Sequence, residues 1–173
     1  MDILENKEQW LAESRDGWLA HLNQTGETKW DIYNRPTNSV APAGPGINLA
    51  ESRLVLITSA GSYLADTQEP FNAVDPLGDY TIRTYPTSTS FEALNYAHDH
   101  YNHVAVEKDP QVLIPLRHLE DMVAEGVIGE MAPTVISFHG YTPNSARFVD
   151  ETIPVILEEV EKQQADAALL VPA

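Results

Sequence analysis

The chain of 173 residues carries 26 acidic against 10 basic side chains, a formal charge of −16. A surface this negative repels phosphate, which excludes non-specific binding to nucleic acid or to an anionic membrane. The absence of cysteine excludes disulfides, thiolate metal sites and thiol nucleophiles within these residues.

The length suits one domain, and the 43% hydrophobic fraction is that of a globular protein with a core. No apolar run approaches the roughly 18–20 residues that span a bilayer. The polar, acidic start MDILENKEQW is no secretory signal, so the cytoplasm is the expected compartment.

In chain order, Leu4, Trp10, Leu11, Trp18, Leu19 and Leu22 recur at helical spacing. The APAGPG run at 41–46 is a Pro/Gly connector, so residues 1–50 form a helical arm and linker, suited to packing or subunit contact. The main domain, 51–173, opens on RLVLITSAG at 53–61, an apolar run with the pattern of a buried parallel strand and a tight turn. TIRTY at 81–85 alternates as a second strand. Residues 113–129 have helical spacing, with Pro115 suited to a first turn and Gly126 to a C-cap. TVISFHG at 134–140 is another buried strand. Residues 145–165 form an amphipathic helix that Pro154 kinks or divides. DAALLVP at 166–172 is again a strand. Strands alternating with helices predict an α/β fold, a three-layer parallel, Rossmann-like sheet flanked by helices.

Three segments carry candidate chemistry. TSAGSYL at 58–64 follows a strand but matches neither GxGxxG nor the phosphate loop nor the GxSxG elbow; it reads as a structural turn or a substrate-facing loop. His98-x-His100-x-x-His103 is the densest ionisable cluster, and alternation places His98 and His100 on one side of an extended segment. With His139 at a strand end, the set is open to three readings: metal ligation, a catalytic or substrate-binding role, or a structural one. Asp79 and Arg83 read as an ion pair, or Arg83 as the anchor of a substrate carboxylate. Asp109-Pro110 is a turn into the following helix.

Several segments together resemble the selenoprotein B family of glycine, sarcosine, betaine and D-proline reductases. They are LVLITSAGSYL (54–64), EPF (69–71), GDYTIRTYP (78–86), HDHY (98–101), DPQVLIPLRHLEDMVAEGVIG (109–129), SFHGY (137–141) and ADAALLVP (165–172), in the family's order. The resemblance implies reductive cleavage of a carbon–nitrogen bond in a small-molecule substrate by a selenolate or thiolate, with a thioredoxin-like electron donor. It implies that His98, His100 and His139 protonate a leaving amine, that Arg83 holds a carboxylate, and that the Ser59–Gly61 backbone underlies the substrate. The family's strand matching ADAALLVP leads into a redox motif beginning with selenocysteine or cysteine. That residue is therefore expected immediately after Ala173, this stretch being the N-terminal portion of a longer protein and inactive alone. No other cofactor and no metal are assigned to this chain.

A last strand lacking a following helix is expected to expose apolar surface around Leu169 and Val171, which either is covered by a homodimer or leaves the fold marginally stable. Two alternatives stand beside this reading. One is a complete metal- or ligand-binding module using His98, His100 and His139. The other is a structural subunit whose arm docks Trp10 and Trp18 on a partner.

Overall fold

The computed structural model describes residues 4–173, so the first three residues of the predicted arm lie outside them. The arm is helical from α1 (Lys7–Glu13) through a π-wound stretch (Ser14–Leu19) into α2 (Ala20–Thr25). Its apolar stripe buries Trp18, Leu19 and Leu22. A loop and two short 3₁₀ turns then lead into the sheet.

The central strand is β1 (Arg53–Thr58), whose residues after Arg53 are all buried. Alternation sends Leu54 and Leu56 into one core and Val55 and Ile57 into the other, as a strand covered on both faces requires. One edge of β1 pairs in parallel with β7 (Ala167–Val171) along its length. The other edge pairs first with the short β5 (Glu130–Met131), then with β6 (Thr134–Phe138), both parallel to it. The outermost strand, β3 (Ile82–Pro86), runs antiparallel to β6. The α/β reading therefore holds, with the edge strand reversed. Alternation identifies a strand but does not set its direction, and β3 joins the sheet only after a long excursion through residues 65–81.

Flanking that excursion and β3 is a two-stranded ladder the sequence does not announce: β2 (Ser62–Leu64) pairs antiparallel with β4 (Leu94–Tyr96). Together with α3 (Val104–Lys108) and α4 (Leu116–Ala124), it covers one face of the sheet through Leu94, Val106, Leu116 and Leu119. The predicted end of α4 is confirmed, because Gly126 takes a left-handed φ of 73° and its N–H donates to the Val123 carbonyl. The other face is covered by the helix that starts as α5 (Ser145–Arg147), passes through a π-wound turn (Phe148–Thr152) and continues as α6 (Ile153–Lys162). Pro154 falls in the first turn of α6, directly after the π-wound residues, where its missing N–H is best tolerated.

The arm meets this second layer where the Ser14 and Ser145 hydroxyls share a buried hydrogen bond of 3.1 Å. At the far edge, Leu169 and Val171 pack against the core, while Leu170 is 69% exposed. The apolar surface expected on β7 is thus on the opposite side chain of the strand. Among the described residues, no helix is long and apolar enough to cross a membrane.

Trp18 is fully buried, so Trp18→Ala is expected to destabilise the chain by about 3–5 kcal/mol in urea titration. Leu170→Ala is expected to change it by less than about 0.5 kcal/mol. Equal effects at the two positions would mean that the arm is not packed on the domain.

Candidate active site

The carboxyl ends of β1 and β6 converge, as ligand sites do in open parallel sheets. Ala60, just beyond β1, forms an antiparallel bridge with His139, just beyond β6. Gly61 fixes the junction: its N–H donates to the Phe138 carbonyl at 3.0 Å, and its carbonyl accepts from the Ala97 N–H at 2.9 Å. Its φ is +64°, and an added Cβ would stand 2.5 Å from the Ala97 carbonyl oxygen. Only glycine fits there. The Gly61 N–H thus holds the segment that leads into His139, and its carbonyl holds the segment that leads into His98.

His98 and His139 are 4% and 0% exposed, and their rings lie 4.5 Å apart. Their partners set their tautomers. His139 Nδ1 lies 3.1 Å from the Tyr141 carbonyl, which only accepts, so Nδ1 carries the proton. Its Nε2 is left as a lone pair, buried without a hydrogen-bond partner among the described residues. His98 Nδ1 accepts from the His100 N–H at 3.1 Å, so the His98 proton sits on Nε2. The pair thus presents one N–H donor and one bare acceptor side by side. Burial first, then the like-charge neighbours His139, His100 and His103, push His98 down to about 4. Burial also lowers His139. Both rings are neutral near pH 7.

The segment that brings the histidines together is a tight turn rather than the extended run expected from the HxH spacing. The turn still gathers them, with the exposed His100 ring 5.9 Å from His98 and 6.5 Å from His139. His100 stacks on Tyr141 at 3.9 Å, and His103 stacks on Tyr101 at 4.5 Å. His103 Nε2 reaches the His98 carbonyl at 2.6 Å, and the Tyr101 hydroxyl donates to the Ala60 carbonyl at 3.1 Å. Burial raises the Tyr101 pKa, so that hydroxyl stays protonated. Tyr101 and Tyr141 had no role in the sequence reading, although both adjoin histidines in HDHY and SFHGY.

Arg83 sits further out. Its guanidinium donates to the carbonyls of Glu69, Pro70 and Ile82 and to the Thr81 hydroxyl. It also lies 4.4 Å over the Phe71 ring. Two of these four hydrogen bonds clamp the 69–71 loop, and Phe71 in turn faces His139 at 6.4 Å. Asp79, the expected ion-pair partner, is instead bound by Asn72 and Thr81, whose hydrogen bonds outweigh burial and hold its carboxyl low.

Ser59 is the remaining predicted residue, and it lies at the centre. Its N–H donates to the Val171 carbonyl at 3.1 Å, and its hydroxyl accepts from the Ala173 N–H at 2.9 Å. Gly140 shows how closely these groups meet. A Cβ added there would stand 2.9 Å from His98 Nε2, 3.0 Å from the Ser59 carbonyl oxygen and 3.1 Å from the Ser59 hydroxyl. The exit of β7, Ser59 and the His98 donor thus share one small region. Among the described residues, no group of three or more His, Cys, Asp or Glu side chains is placed to hold a metal.

A family described as Glycine/sarcosine/betaine reductase selenoprotein B (GRDB) matches residues 20–173. The chain belongs to that family. It is 29% identical over 122 residues to the D-proline reductase subunit gamma of Acetoanaerobium sticklandii, covering 70% of this chain and 49% of that protein. It is 29% identical over 123 residues to the sarcosine reductase complex component B subunit beta of Peptoclostridium acidaminophilum, covering 69% of this chain and 28% of that protein. The chain therefore spans half or less of these curated relatives. No solved structure shows a significant match.

The lowered histidine pKa values make stability depend on pH. Unfolded His98 titrates near 6.5, but in the fold its pKa is about 4. Between those values the unfolded chain binds more protons, so stability is fully present above pH 6.5 and falls as the pH drops through that window. Urea titrations at pH 7.5 and pH 5 are expected to differ by about 2 kcal/mol from His98 alone. His98→Gln should remove that part of the difference; the same pH slope in both proteins would place His98 in water.

Proposed function

We propose that this chain forms the substrate-side part of a reductase that cleaves a carbon–nitrogen bond in a small amine or amino acid. The observation that carries the reading is the neutral His98–His139 pair beside Ser59 and the exit of β7. Family membership supports the reaction class, and the relatives' names suggest D-proline and sarcosine as the substrates to try first.

The expected selenocysteine or cysteine following Ala173 belongs to this proposal, and its selenolate or thiolate would supply the nucleophile. The residues present fit such a group. The Ala173 N–H is held by the Ser59 hydroxyl, next to the groups packed around Gly140. The chain's own residues then have separable tasks. The His98 Nε2–H is the proton source for a departing amine nitrogen. The bare His139 Nε2 accepts a hydrogen bond from the substrate or returns a proton to the pair. His100, exposed and stacked on Tyr141, connects the buried pair to solvent protons. Phe71, pinned by Arg83, walls the site against water. Arg83 thus acts through Phe71, and substrate carboxylate binding falls to its remaining N–H. Electrons come from a thioredoxin-like dithiol donor, and a second copy of the chain is the proposed cover for Leu170.

The test uses the gene product continued past codon 173, made with selenium and assayed with dithiothreitol on D-proline, sarcosine and glycine betaine. Turnover is expected on at least one substrate, falling by roughly 10²–10⁴-fold in His98→Gln and His139→Gln. Undiminished turnover in the double variant would remove the histidines from the mechanism. A continuation encoding neither selenocysteine nor cysteine would overturn the reductive reading itself.

A further inference from the structure

The aromatic residues of the arm have no task in the reductive scheme, yet they do not simply pack into a core. Trp18 in the π-wound stretch, Trp30 in a 3₁₀ turn and Tyr33 just after it line a pocket of about 180 Å³. Its remaining walls are Gly140, Tyr141, Thr142 and Pro143. That second wall is continuous with the histidine site. Gly140 lies against His98 Nε2, the Tyr141 ring stacks on His100, and the Tyr141 carbonyl holds His139 Nδ1.

The rings are arranged as a corner. Tyr33 stands at 76° to Trp18 and 72° to Trp30, with centroids 5.2 Å and 5.8 Å away, while the two indoles lie 4.7 Å apart at 34°. Trp18 forms the floor at 1% exposure, and Trp30 forms an open wall at 61%. Packing alone does not explain a large indole left so exposed beside a buried one.

The chemistry of the lining selects the ligand. None of the seven lining residues is charged, so an anion finds no cationic partner there. Aromatic faces attract cations through the ring quadrupole, most strongly indole, and the −16 charge of the chain draws cations toward its surface. An ammonium group seated in this corner would lie next to Gly140 and hence beside the proton donor of the proposed reaction.

We propose that Trp18, Trp30, Tyr33 and Tyr141 form a binding site for the ammonium head of an alkylated amine. On this view the arm is part of the substrate site. The direction of the ligand toward the histidines rests on the reductive reading above; the binding itself does not.

The test is binding without turnover. Choline chloride is titrated into the full chain while tryptophan emission is followed. The uncharged isostere 3,3-dimethylbutan-1-ol and sodium chloride at equal ionic strength serve as controls. Saturable quenching is expected with choline, roughly tenfold weaker with the neutral isostere. Trp30→Ala, at an exposed position that leaves the fold intact by circular dichroism, should weaken choline binding by a similar factor, and so should Tyr33→Leu. Leu170→Ala, at an exposed position on β7 that does not line the pocket, should leave it unchanged. Equal affinity for choline and its isostere would overturn the proposal, as would choline binding that survives in both aromatic variants. Failure of the cage leaves the histidine assays untouched, and failure of those assays leaves the cage.

Discussion

Everything at the working end of this molecule depends on burying two imidazoles side by side, where the cost of desolvation outweighs the pull of Asp79 and Asp99. Two rings 4.5 Å apart cannot both be charged in such a place, so the fold holds them neutral and distinguishes them by their partners. A carbonyl fixes the proton of His139 on Nδ1, and a backbone N–H fixes the lone pair of His98 on Nδ1. The result is a ring with an Nε2–H donor beside a ring with a bare Nε2 acceptor, their centres 4.5 Å apart. The glycines at 61 and 140 permit it, because a side chain at either would occupy room taken by the Ala97 carbonyl or by His98 itself.

The sheet explains why the pair sits where it does. β1, β6 and β7 run parallel, so their carboxyl ends emerge together, and the turns after β1 and β6 carry Ser59 and His139 to one edge. The other half of the site comes from a long insertion. After β2 the chain wanders through the 69–71 loop, adds β3 antiparallel to the sheet, and returns through β4 to deliver His98. Arg83 on that reversed strand ties the insertion together through three backbone carbonyls and the Phe71 ring. A guanidinium used in this way is a brace for the site wall.

The parts of this arrangement visible in the sequence are those with local causes. The apolar runs of β1 and β6 admit little but buried parallel strands, and Gly126 marks its helix end through a conformation other residues resist. The histidines stand out by their density alone. What stays hidden is set at long range. SYL and LNY are too short to signal strands, and their pairing joins residues about thirty positions apart, with β3 between them. Alternation in TIRTY does not tell parallel from antiparallel. The HxH spacing suggests two side chains on one face of a strand, whereas a turn brings them together by folding His100 back onto His98. The arm reads as packing because its tryptophans have helical spacing, and only the fold sets Trp18, Trp30 and Tyr33 against Gly140 and Tyr141.

The most direct measurement is nitrogen-15 NMR of the imidazoles in histidine-labelled chain, followed from pH 8 to pH 4. The buried pair predicts two neutral rings of opposite tautomer at pH 7, with the proton on Nε2 in His98 and on Nδ1 in His139. It also predicts that His98 stays neutral until the pH approaches about 4. Two rings of the same tautomer, or a His98 that titrates near 6.5 like an imidazole in water, would contradict the donor–acceptor pair on which the proposed chemistry stands.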